Sequence, residues 1–185
     1  MEKQVILSPK NPDCLAINEK VLNIISEALK MYLSTDSVSC NDEDEVQNYP
    51  FEFINSLPPS GMPPHHLNLK VGVIVMLLRN LSISQGSCNG IFMKVQRLHS
   101  HCVEESLVTG SNRGRTVLIP RIKLSSSDAN IPFTLNRLQF PLQLVCSMTI
   151  NKAQGQTFEK MLEFICLNQY FLMANYMLHF QEHKL

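Results

Sequence analysis

The chain has 185 residues, enough for one domain or for one domain carrying a small second one. Its 16 basic and 16 acidic residues cancel, so net charge neither favours nor excludes a nucleic-acid partner, and no apolar run is long enough to cross a membrane. Six cysteines at irregular spacings, with no C-x-x-C pair, read as free thiols in a reducing compartment rather than as a disulfide framework.

The first element is a short apolar run at Gln4 to Leu7, compatible with a buried strand. Turn residues follow in "SPKNPD", and Pro12 with Asp13 opens a helix. Ala16, Ile17, Lys20, Val21, Ile24 and Ile25 recur there at helical spacing. Strand, loop, helix is the grammar of an α/β sheet with a functional loop at the strand's carboxyl end.

Ser34 to Tyr49 is polar and acidic and reads as an exposed connection. Its cluster Asp42 to Glu45 is a solvated loop on the plainer reading, with a metal site as the alternative. "SLPPSGMPPHH" excludes helix and central strand and looks like a linker into a second unit. From Leu67 to Leu124, short strands alternate with turns, "GSCNG" among them, which predicts a small β-barrel or sandwich. Within it Met76, Leu77 and Leu78 read as core, and His99 and His101 mark an exposed hairpin. His65 and His66 lack a third metal ligand at suitable spacing. The basic run of Arg113, Arg115, Arg121 and Lys123 reads either as a solvated hairpin face or as a DNA contact.

"FPLQLVCSMTI" returns to a buried strand in which Cys146 reads as inert, and "NKAQGQTFEKM" is the loop and helix start beyond it. The expected fold is therefore α/β, a parallel sheet interrupted by a β-barrel insert. The α/β pieces are residues 1–60 and 125–160, and the insert is 61–124.

Two loops carry the chemistry. In "TINKAQGQT", Thr149, Asn151 and Lys152 supply a hydroxyl, an amide and a cation at a strand end, where unpaired backbone N–H groups favour phosphate. Gly155 permits close backbone approach, and Gln154 and Gln156 add amides. "SPKN" repeats the theme with Ser8, Lys10 and Asn11. Two such loops on one sheet edge would track phosphates without reading sequence. A plain polar loop between strand and helix is the alternative for each.

The ordered series "VILSPKNPDCLAINEKVL", "YPFEFINSLPPSGMPPHHLNLKVGVIVMLLRNL", "GSCNGIFMKVQRL", "VTGSNRGRTVLIPRIKL" and "PFTLNRLQFPLQLVCSMTINKAQGQTFEK" resembles the PIF-one helicases, and most of all their plant-type and Helitron relatives. The resemblance implies ATP-dependent 5′-to-3′ DNA helicases of superfamily 1B, with two RecA-like domains, ATP and Mg²⁺ in the cleft between them and single-stranded DNA across the top. This chain is similar to the second RecA-like domain with an inserted SH3-like β-barrel. The resemblance makes "SPKN" the fourth helicase motif, with Ser8, Lys10 and Asn11 on DNA. It makes "TINKAQGQT" the fifth, with Thr149, Asn151 and Lys152 toward DNA and Gln154, Gly155 and Gln156 toward ATP. It also implies a nuclear setting, with mitochondria as the alternative.

Other family parts have no counterpart in the sequence. There is no G-x-x-x-x-G-K-[S/T], no apolar strand ending in paired acids, and no sixth motif with its arginine finger. The expectation is a C-terminal helicase piece that does not hydrolyse ATP alone and that needs a first RecA-like domain. Stand-alone binding modules, split enzymes and non-functional gene products are the rival readings. The tail, residues 161–185, carries a specific signature. Suitable codons for the family-like string "VGIYLPQPVFSHGQLYVAFSR", read one base out of register, encode "LEFICLNQYFLMANYMLHFQE", which is Leu162 to Glu182. A reading-frame slip near Lys160 or Met161 predicts a poorly packed tail.

Overall fold

The computed structural model describes residues 4–8, 11–39, 49–57, 61–126, 133–149 and 160–163. The chain divides into two compact units, Met1–Glu27 with Leu144–Leu185, and Ala28–Gln143.

In the first unit, strand β1 (Gln4–Ser8) leads to helix α1 (Asn11–Ile24). Strands β12 (Ser147–Thr149) and β13 (Lys160–Glu163) flank β1 in the order β12-β1-β13, both parallel to it. Parallel neighbours require a long crossover, and between β1 and β12 the chain passes through the whole second unit. Helix α1 packs on β1 and β12. It buries Cys14, Ile17, Asn18 and Leu22, whereas Ala16 and Lys20 are exposed, so the buried stripe is rotated from the one the apolar spacing suggests. Met161, Leu162 and Glu163 pair in register with Val5, Ile6 and Leu7 of β1, so the tail's first residues lie in the sheet. Residues 164–185 lie outside the described residues.

The second unit is antiparallel. Its elements are β2 (Lys30–Leu33), β3 (Thr35–Ser39), the short helix α2 (Phe51–Ser56), β4 (His66–Leu69), β5 (Ile74–Leu77), β6 (Phe92–Leu98), β7 (Cys102–Leu107), β8 (Thr116–Pro120), β9 (Ile122–Ser125), β10 (Thr134–Gln139) and β11 (Leu142–Leu144). The strands form three sheets, β11-β5-β6-β7-β8, β3-β10-β9 and β2-β4. Alternation of buried and exposed residues along β7 and β8 places Val103, Leu107, Val117 and Ile119 inside.

The boundaries differ from 61–124. Segment 28–39 belongs to the β unit because β2 pairs with β4 and β3 with β10, and the unit runs on to Gln143. Thr35–Ser39 is thus strand rather than exposed connection, while 40–48, with the acidic cluster, lies outside the described residues. The proline-rich segment joins parts of one unit instead of linking two. Met62 and Pro63 are buried, and Ile54, Phe133 and Leu135 form a small cluster with Val38, Tyr49 and Leu57.

Arg137 organises this unit. It is fully buried and forks onto Asp36, with Nε 3.0 Å from each carboxylate oxygen and Nη2 2.6 Å from Oδ2. Its remaining N–H groups donate to the carbonyls of Ile54, Leu57 and Pro63. Bidentate geometry with every other donor satisfied is the arrangement that lets a buried ion pair offset its desolvation. Gln139, two residues on, donates to the Tyr32 and His65 carbonyls and accepts from the Phe140 N–H.

Candidate nucleic-acid interface

The carboxyl ends of β1 and β12 are adjacent. Ser8 is the register partner of Thr149, Leu7 of Met148 and Ile6 of Ser147. Neighbouring strands lie roughly 4.8 Å apart, so the chain leaves the sheet at Ser8 and at Thr149 from neighbouring points on one edge. Asn11 begins α1, three residues after Ser8, and the first backbone N–H groups of this 14-residue helix have no partner within it. Of the residues the sequence singled out, the structure thus brings Ser8, Asn11 and Thr149 to the carboxyl-end side of one parallel sheet. Lys10, Asn151, Lys152, Gln154, Gly155 and Gln156 lie outside the described residues.

What fixes β12 at that edge is Asn18, which sequence reasoning missed. Its Oδ1 accepts the Ser147 N–H at 2.7 Å, and its Nδ2 donates to the Ser147 carbonyl at 3.2 Å and the Leu144 carbonyl at 3.3 Å. Asn18 and Ser147 are both buried. The signal was available as a single amide on an otherwise apolar helix face, between Ile17 and Leu22. The Ser147 hydroxyl is buried without a hydrogen-bond partner. Burial pushes the Cys146 thiol up to about 11, which keeps it protonated and unreactive at neutral pH.

In the second unit the structure divides the basic run. Arg121 stacks over Phe140 at 4.8 Å and donates to the Leu33 carbonyl at 2.7 Å, so it serves packing. Burial raises the nearby Tyr32 hydroxyl to about 12, against the lowering effect of Arg121. Arg113 and Arg115 are exposed in the turn between β7 and β8. His65 joins the Arg137 network: its Nδ1 is 2.7 Å from the Ser34 hydroxyl, which donates to Asp36 at 2.6 Å. Burial lowers the His65 pKa and outweighs the opposing pull of Asp36. His99 and His101 sit in an exposed turn between β6 and β7. Among the described residues, no group of three His, Cys, Asp or Glu could hold a metal ion.

Residues 52–98 match the family model for the 2B domain of the DNA helicase Pif1. Solved structures share the fold over most of the chain. A Pif1 helicase from Candida albicans aligns with a TM-score of 0.64 and 23% identity, over 94% of this chain and 43% of that one. A Bacteroides Pif1 helicase in complex with ADP-AlF3 and ssDNA aligns with 0.61 and 23%, over 92% and 37%. A structure of two coordinating Pif1 helicases at forked dsDNA aligns with 0.60 and 24%, over 94% and 37%. The chain therefore spans less than half the length of these Pif1 chains. No curated protein matches the sequence.

Proposed function

We propose that this chain, Pif1-like in its 2B domain and in its fold, is the DNA-contacting second half of a superfamily 1B helicase motor that couples ATP hydrolysis to 5′-to-3′ translocation on single-stranded DNA. The observation that carries this reading is the Ser8–Thr149 register. It supports two phosphate-friendly loops leaving one sheet edge side by side, which is what tracking a single strand without reading its bases requires. Ser8, Lys10 and Asn11 from one loop, and Thr149, Asn151 and Lys152 from the other, hold backbone phosphates. The unpaired N–H groups at the start of α1 add positive potential at the same edge.

Gln154, Gly155 and Gln156 face the nucleotide. The bound ATP supplies the free energy of each step, with Mg²⁺ neutralising its phosphates. The P-loop and the acids for Mg²⁺ come from a first RecA-like domain, which makes the pair of domains the catalytic unit and this chain a partner in it. The Bacteroides relative's complex with ADP-AlF3 and ssDNA supports both ligands for the assembled motor.

Reconstitution tests this. Mixing the chain with a separately expressed first RecA-like domain is expected to yield ATP hydrolysis stimulated by single-stranded DNA, reduced at least tenfold by Gln156→Ala. Stimulation that is absent, or indifferent to Gln156, would overturn the reading.

A further inference from the structure

The loop between β5 and β6 (residues 78–91) and the loop between β7 and β8 (residues 108–115) lie at one end of the five-stranded sheet. Consecutive antiparallel strands β5, β6, β7 and β8 put alternate connections at the same end. The two loops touch: a Cβ built on Gly86 would stand 2.8 Å from Asn112 Nδ2. Together they carry Arg79, Arg113 and Arg115 and no acidic residue. Arg113 and Arg115 are exposed, either side of Gly114, whose φ of +86° makes the turn. Ser84, Gln85, Asn89 and Asn112 add the amides and hydroxyls that commonly meet phosphate.

The opposite end of the sheet is different in charge. There the charges are mixed: the exposed Arg97 stands across from Glu104, which also pairs with His99 at 3.5 Å, and Arg121 is committed to Phe140 and the Leu33 carbonyl. The basic end also lacks any aromatic residue. Single-strand sites usually supply aromatic platforms on which unpaired bases stack. A duplex keeps its bases stacked internally and offers a regular array of phosphates, for which arginines and short polar side chains suffice.

We propose that these two loops form a docking surface for the phosphodiester backbone of duplex nucleic acid. It uses residues other than those of the single-strand site and does not rest on that reading. A fluorescently labelled blunt-ended duplex and an oligo-dT of equal length, each titrated with the full chain over a range of salt, test it. The variant Arg113→Ala/Arg115→Ala is expected to weaken duplex binding roughly tenfold and to reduce its salt slope by about 1.8, the share of two duplex phosphates. Its oligo-dT affinity and its thermal unfolding stay unchanged, because both arginines are exposed. Lys10→Ala/Lys152→Ala has the converse effect, so the two sites fail separately. Wild-type chain that does not bind the duplex, a duplex slope unmoved by the arginine variant, or equal losses on both probes would overturn the proposal. So would undiminished duplex binding by the arginine variant alongside capture of a labelled Glu-rich peptide by the wild-type chain that the variant loses, which would mark a protein surface.

Discussion

Asn18 and Ser147 hold each other in both directions: the Ser147 N–H donates to Asn18 Oδ1 at 2.7 Å, and Asn18 Nδ2 donates to the Ser147 carbonyl at 3.2 Å. A side chain from α1 thereby does for β12 what a neighbouring strand would do. It fixes the strand whose end, Thr149, lies beside Ser8.

Asn18→Ala strands a buried N–H and two carbonyls. At ~1–3 kcal/mol for an unsatisfied buried group, a loss of about 3 kcal/mol is expected in urea denaturation, with faster hydrogen exchange at the Ser147 amide. Asn18→Asp retains the acceptor but turns a carboxylate toward two carbonyls, so it should not rescue stability at neutral pH. Wild-type exchange at Ser147 in Asn18→Ala would contradict this role.

The Arg137–Asp36 pair predicts an asymmetric response to mutation. Removing one partner leaves a buried charge, so Arg137→Met or Asp36→Leu alone should cost about 3–5 kcal/mol. The double variant should cost clearly less than the sum of the two. Arg137→Lys should behave as a loss, since an ammonium cannot fork onto Asp36 and reach the Ile54, Leu57 and Pro63 carbonyls together. Additive losses in a double-mutant cycle would contradict the coupling.

Glu105 gives the second unit a pH dependence. It is fully buried between its cross-strand neighbours Val95 and Val117, and neither carboxylate oxygen has a hydrogen-bond partner. Burial raises its pKa from 4.5 to about 8. Between those values the folded state holds a proton that the unfolded chain has released. The stability present below pH 4.5 is therefore lost progressively as pH rises through about 8. At roughly 1.4 kcal/mol per unit, the loss amounts to several kcal/mol. Glu105→Met should be more stable than wild type at pH 8 and should flatten the profile, as measured by thermal melts across pH. An unchanged profile in Glu105→Met would place the dependence elsewhere.

Gly86 tests the contact between the two basic loops. Its φ is +81°, and an added methyl would meet Asn112 Nδ2 at 2.8 Å. Gly86→Ala should cost about 1–2 kcal/mol from backbone strain and crowding. Asn112→Ala in the same chain should recover the crowding share only. Equal stability of Gly86→Ala and wild type would contradict the packing of these loops.

The parts that could be read from the sequence are those set by local pattern. Gln4 to Leu7, Pro12 and the apolar recurrence that follows give strand, turn and helix in order, and alternation along Val103 to Leu107 places one face inside. What could not be read depends on partners distant in sequence. Nothing near Arg137 indicates that it is buried, because Asp36 is 101 residues away and the carbonyls of Ile54, Leu57 and Pro63 that it caps are 83, 80 and 74 residues away. Thr35 to Ser39 look like a polar loop until Asn136 and Leu138 supply the pairing strand. The candidate loops stand out by residue type at strand ends, whereas Asn18 shows in the sequence only as an amide on an apolar helix face, and its partner Ser147 lies 129 residues away.

Titrating a labelled oligo-dT with the full chain over a range of salt tests most directly whether the loops after β1 and β12 hold a single strand. Wild-type affinity is expected to fall linearly with salt on logarithmic axes, and Lys10→Ala/Lys152→Ala to reduce the slope by about 1.4, the share of two single-strand phosphates. Salt-independent binding, or a slope that the double variant leaves unchanged, would contradict it.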